Sequence, residues 1–152
     1  MMTRSTRVLL LAAALLLASQ QVQAQTKPDG GARRAHATAL RLQAQQLQKE
    51  NPSEAITLLH LALATDPTAG ENSLALGDSY AQAERYQEAI PFFERALELL
   101  PNDKKAVQER LALAYVGAGD EAAAVRVLRA ARLSASRITD NIARYRQTVV
   151  RP

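Results

Sequence analysis

The 152-residue sequence predicts an all-α solenoid, about three stacked helix pairs closed by a C-terminal capping helix. Three observations carry this. Hydrophobic residues make up 47% of the chain but aromatics only 4%, so Ala and Leu supply the apolar mass, which suits close-packed helices better than a β-sandwich. In Leu76 to Pro101, the marks Leu76, Gly77, Tyr80, Ala89, Phe93 and Ala96 recur in residue class 35 residues on, and Ala89, Ile90, Phe93, Ala96 and Pro101 recur 34 residues back. Within each copy the apolar residues fall three or four apart, the spacing of one helix face.

The N-terminus reads as an export signal. Arg4 and Arg7 precede an unbroken apolar run of 11 residues, Val8 to Ala18. A helix that spans a bilayer core needs about 20. Val22 and Ala24 are small residues suited to a cleavage pocket, so the signal is expected over 1–24, cut after Ala24. An uncleaved membrane anchor is the alternative. Gln20 stands where a lipobox needs Cys, which argues against lipidation, and no twin-arginine pair precedes the run, so the general secretory route is the simpler one. Residues 25–34 follow as a flexible leader. Removing the signal lowers the formal charge from +4 to +2, because Arg4 and Arg7 leave with it.

The first helix pair is expected over 35–69. A strict repeat would bury Gln43 and Gln46. Shortening the turn by one residue instead aligns Leu40, Ala44 and Leu47 in one stripe. An unpaired buried amide costs about 1–3 kcal/mol, so the shorter turn is preferred. The middle pair, 70–104, places helix A over Ser73 to Gln82 and helix B over Gln87 to Leu99. Gly77 has no side chain where the two helices cross, Tyr80 and Phe93 fill the space beside the crossing, and Ala89 and Ala96 keep the groove of helix B shallow. Pro101 ends helix B. Pro91 is awkward inside a helix; a start at Gln87 or Glu88 puts it at the edge of the tolerated first turn. The third pair, 105–136, repeats the marks as Leu111, Ala112, Tyr115, Ala124, Leu128 and Ala131. Gly117 and Gly119 are expected to close its helix A. Ile138, Ile142, Tyr145 and Val149 then form one amphipathic stripe in 137–152, with Arg144, Gln147 and Thr148 opposite. A helix pair cannot bury both faces alone, so neighbours must stack and the last helix caps the stack.

This pattern resembles the tetratricopeptide repeat family over about Ala37 to Ser136. The middle unit matches closely through Leu76, Gly77, Tyr80, Ala89, Phe93, Ala96 and Pro101. In the third, Ser136 replaces the proline, and in the middle unit Ser73 stands where a large aromatic is common. The resemblance implies a protein-binding scaffold and does not identify a partner. It also implies that helix A residues off the stacking face line a concave groove. Here those are Arg41, Gln45, Gln48, Glu71, Leu74, Asp78, Ala81, Gln82, Ala106, Glu109, Leu113 and Val116. Leu74, Ala81, Leu113 and Val116 would form an apolar floor beside Glu71, Asp78 and Glu109, unless the C-terminal helix folds back and covers it. Relatives that clamp the acidic tails of heat-shock chaperones use a Lys, Asn and Arg set that this groove lacks.

Charge is unevenly spread. Residues 35–103 carry 4 basic and 10 acidic side chains; residues 104–152 carry 10 basic and 4 acidic. Arg126, Arg129 and Arg132 make a secondary basic patch, either a solvated face or a surface for an acidic partner, an anionic lipid or the acidic half of another copy. No aromatic platform accompanies these arginines, so nucleic acid is not expected.

No constellation for chemistry emerges. The absence of Cys excludes disulfides and thiolate sites. His36 and His60 lie 24 residues apart without an i+4 partner. No G-x-S-x-G elbow and no phosphate loop occur. Glu84/Glu88 and Glu94/Glu98 read as solvated helix faces. Catalytic, metal and cofactor residues are therefore not expected. The expectation is a non-catalytic scaffold or assembly factor for proteins or peptides, exported to a periplasm or secreted. A membrane-associated adaptor and a helical enzyme are the alternatives.

Overall fold

The computed structural model describes residues 29–149. The expected signal and its cleavage site lie outside them. Among the described residues there are seven helices and no strand: α1 (Gly30–Leu47), α2 (Pro52–Thr65), α3 (Gly70–Gln82), α4 (Tyr86–Leu99), α5 (Lys104–Gly117), α6 (Glu121–Ala130) and α7 (Ala135–Val149). None is long and apolar enough to cross a membrane. The helix at the start takes in Gly30 to Arg34, so its N-terminal turns reach into the stretch expected to be leader.

From α2 onward each helix packs on the next, and α3, α5 and α7 also contact one another in succession. The architecture is an all-α solenoid. In α1, Ala37 and Ala44 are buried, Leu47 packs on the core, and Gln43 and Gln46 are exposed. The shorter turn thus keeps both amides in water. Ala44 belongs to one core with Ala55, Ile56 and Leu59 of α2, and that core continues through Leu76, Tyr80, Ala89 and Phe93 to Leu111 and Ala114.

Local chemistry sets the helix ends. Asn51 caps α2 by accepting from the Glu54 amide, with Pro52 in the first helical turn, a place where its missing N–H is not needed. Asn72, 1% exposed, donates its side-chain amide to the carbonyls of Ala62 and Asp66 and so closes the far end of α2. Asp120 caps α6 through the Ala123 amide at 2.8 Å.

The close crossing of α3 and α4 is direct. A Cβ on Gly77 would lie 2.7 Å from the Phe93 ring, inside any tolerated contact. Two expectations need correction. Gly117 does not close its helix: it is the last residue of α5, and a Cβ there would lie 2.4 Å from the Tyr86 ring. Gly119, at φ +84°, makes the turn. Pro91 is the sixth residue of α4, because the helix begins at Tyr86. Its ring points to solvent, so α4 forgoes one backbone bond without a clash in the core.

Candidate functional site

The residues expected to line a groove lie on α1, α3 and α5, and the structure divides them. Gln45, Glu71 and Gln82 are exposed, as is Ala106. Gln48 reaches from the end of α1 to α3, where its amide donates to Ser79 Oγ at 3.0 Å. Asp78 accepts from Arg110 of α5 at 3.0 Å. Burial pushes the Asp78 carboxyl up and the Arg110 guanidinium opposes that shift. Arg110 was not anticipated from the sequence, although its place one turn before Leu113 and Ala114 puts it on the same helix face.

Arg41 is half-buried, with its Nε shut off from water and without an acceptor. It lines a cavity of about 370 Å³ with Arg34, Asp66 and Glu71. Asp66 is already engaged. It accepts from the Thr68 hydroxyl at 2.7 Å and the Thr68 amide at 3.1 Å, with Arg34 at 3.6 Å. The Thr68 hydroxyl is the chief reason its carboxyl is held below the usual range.

The apolar floor is not open. Val116 is 7% exposed and shares a cluster with Ile138, Ile142 and Tyr145 of α7, with Leu113 packed against it. Helix α7 lies on α5 as α5 lies on α3, so the apolar stripe of α7 covers the floor. The side chain of Arg146 forms two hydrogen bonds with Glu121 of α6 and fixes that docking. Leu74 is half-buried against Ala96, Leu100 and Val107, in the seam between repeats. Ala81 packs on the main core, and Glu109 is half-buried. Ala106 apart, what remains uncovered is polar: Gln45, Glu71, Gln82 and the Asp78–Arg110 pair.

On other faces, Arg126, Arg129 and Arg132 are all exposed. His60 takes part in packing. Its Nε2 lies 2.9 Å from the Tyr80 hydroxyl, and its ring is edge-on to Tyr80 and Phe92, which stack on each other.

A family model, the tetratricopeptide repeat, matches residues 72–103, the unit formed by α3 and α4. Residues 72–103 thus match a tetratricopeptide repeat. Solved structures agree on the fold. The N-terminal domain of stress-induced protein-1 (STI-1) from C. elegans covers 75% of this chain and 97% of its own, at TM-score 0.64 and 15% identity. No curated protein sequence matches the chain. The helical stack continues beyond the matched unit, to α2 on one side and to α5, α6 and α7 on the other.

Proposed function

We propose that the chain is a non-catalytic scaffold that holds a protein segment along the uncovered face of α1, α3 and α5. The observation that carries this reading is the polar surface left after α7 covers Leu113 and Val116: Gln45, Glu71 and Gln82 open to solvent, and Arg41 with a buried donor lacking an acceptor. A surface of this kind selects by hydrogen bonds and charge rather than by apolar area. The repeat stack supports the scaffold part of the reading. The site of action is proposed to lie outside the cytoplasm, from the Arg-flanked apolar run of 8–18 and the small residues before Gln25. An assembly factor of a periplasm or cell envelope fits both features.

One experiment tests both parts. A photo-crosslinking residue is placed at Gln45, at Gln82, or at Thr57 on the far side of α2, in cells that make the chain natively. The adducts are then read by mass spectrometry. Capture of one protein from Gln45 and Gln82 but not Thr57, on a chain beginning within a few residues of Gln25, is the expected result. Equal capture from all three positions overturns the groove. A chain that retains Met1 or Met2 in the membrane overturns the export reading.

A further inference from the structure

Helices α4 and α6 occupy equivalent places in successive repeats, and their exposed faces carry opposite charge. Glu94 and Arg129 are 35 residues apart, the repeat spacing, so they hold the same structural position. Glu98 lies one turn after Glu94, and Arg126 one turn before Arg129. All four side chains are exposed. Tyr115 of α5 emerges between the two helices: its hydroxyl donates to Glu94 at 2.8 Å, and Arg126 is near enough to oppose the upward shift of its phenol.

The two stripes do not neutralise each other. Among the described residues no ion pair joins α4 to α6, while Arg34, Arg85, Arg110 and Arg146 each have a carboxylate partner. Arg95, the cation on α4 beside the acids, is turned away to donate to the Pro67 carbonyl at 2.8 Å. An open hollow of about 440 Å³ lies along Glu94 and Glu98. The face is thus an acidic stripe beside a basic one, each with unspent charge.

We propose that this face pairs with the same face of a second copy of the chain, across a two-fold axis that runs between the stripes and along them. That axis exchanges left for right and keeps height along the stripes, so each copy's acidic stripe meets the other's basic one, with Glu94 opposite Arg129 and with Glu98 and Arg126 adding charge of the matching sign on either side. Any two-fold across the stripes would set like charges together. The surface is therefore self-complementary in the sense an isologous dimer needs. The arginines have only small neighbours, Ala122 and Ala130, among the exposed residues of α6. No large apolar group is available to insert into a lipid surface, which favours a protein partner of matching charge. The interaction is electrostatic, so it is weak and sensitive to salt. This proposal is independent of the groove on α1, α3 and α5.

Sedimentation velocity of the mature chain tests it. A dimer is expected at low salt and roughly 0.1–1 mM protein, weakening about tenfold or more as salt rises through about 0.5 M. The double variant Arg126→Glu with Arg129→Glu should be a monomer of unchanged helicity. Mixing it with a Glu94→Lys, Glu98→Lys chain should restore a dimer that neither variant forms alone. A wild-type monomer at low salt overturns the proposal. So does a dimer indifferent to salt and to Arg126 and Arg129, or a mixture that stays monomeric while both variants are folded.

Discussion

In the middle repeat Gly77 lies under the ring of Phe93; in the third, Ala112 and Leu128 hold the same two places, 35 residues on. A smaller side chain on one helix goes with a larger one on its partner, so both crossings stay close. The next position differs more. Asp78 meets Arg110 of the following repeat, whereas its equivalent, Leu113, meets the apolar stripe of α7. Ala81 and Val116 are likewise equivalent, and the larger one faces the cap. This face of the first helix in each pair is covered by whatever comes next. Another repeat brings a partner of matching charge. On this face the terminal helix brings an apolar stripe, and an apolar surface meets it.

The two tyrosines sharpen that comparison and give the largest effect. Tyr80 is 8% exposed, stacked on Phe92 and bonded to His60, in the middle of the array. Tyr115 is half-buried, and its hydroxyl, with a pKa pushed up to about 12 chiefly by burial and then by Glu94, stays a donor at all ordinary pH. Tyr80→Ala is expected to cost roughly 3–5 kcal/mol. Tyr115→Ala leaves a site that water can enter and should cost about 1–2 kcal/mol less. Urea midpoints of the two variants check this. Equal losses would mean that the repeats do not differ in how firmly they hold this side chain.

Much of this was legible in the sequence, and the limits are physical. The helix pairs announced themselves because Gly77, Tyr80, Ala89, Phe93 and Ala96 act on neighbours within one repeat. The export signal and the groove residues remained expectations of a different kind, resting on segment composition and on the family pattern. Leu113 and Val116 were legible as an apolar stripe on α5, and Ile138, Ile142 and Tyr145 as another on α7. Nothing in either stripe says that the two meet, because that depends on a turn at Ala131 and Arg132, where Arg132 takes a left-handed φ of 58° without a glycine to announce it. Gly117 was misread for a related reason: its close contact, the Tyr86 ring, is 31 residues away, while the turn that Gly119 makes is adjacent. Arg110 escaped notice because an ion pair between repeats has no spacing rule of its own.

The Asp78 and Leu113 positions offer the next test, of intermediate size. Leu113→Asp puts a carboxylate against the cap with no cation supplied for it, and about 2–3 kcal/mol should be lost. Asp78→Leu leaves Arg110, which is itself exposed, to be solvated. A partly exposed pair of this kind contributes little, so the change should stay within about 1 kcal/mol. Thermal melts of both variants decide the matter. A large loss at Asp78 with none at Leu113 would reverse the rule that the following element sets the chemistry of this face.

The smallest effect concerns one turn drawn twice. After α3, the Glu84 amide donates to the Ala81 carbonyl at 3.0 Å and the Arg85 amide to Tyr80 at 2.9 Å. After α5, Gly119 donates to Val116 at 3.0 Å and Asp120 to Tyr115 at 2.8 Å. The two turns are equivalent, yet Glu84 holds a left-handed φ of 59° where Gly119 has 84°. A residue with a Cβ is strained there by about 1 kcal/mol or more. Glycine relieves that strain but widens the unfolded ensemble, which returns part of the gain. Glu84→Gly should therefore stabilise the fold by only about 0.5 kcal/mol. The mirror change, Gly119→Glu, introduces the strain and should cost about 1 kcal/mol. The two urea midpoints are expected to move in opposite directions. Movement of both the same way would show that something other than the backbone, such as the charge placed beside Tyr86 or Asp120, governs the turn.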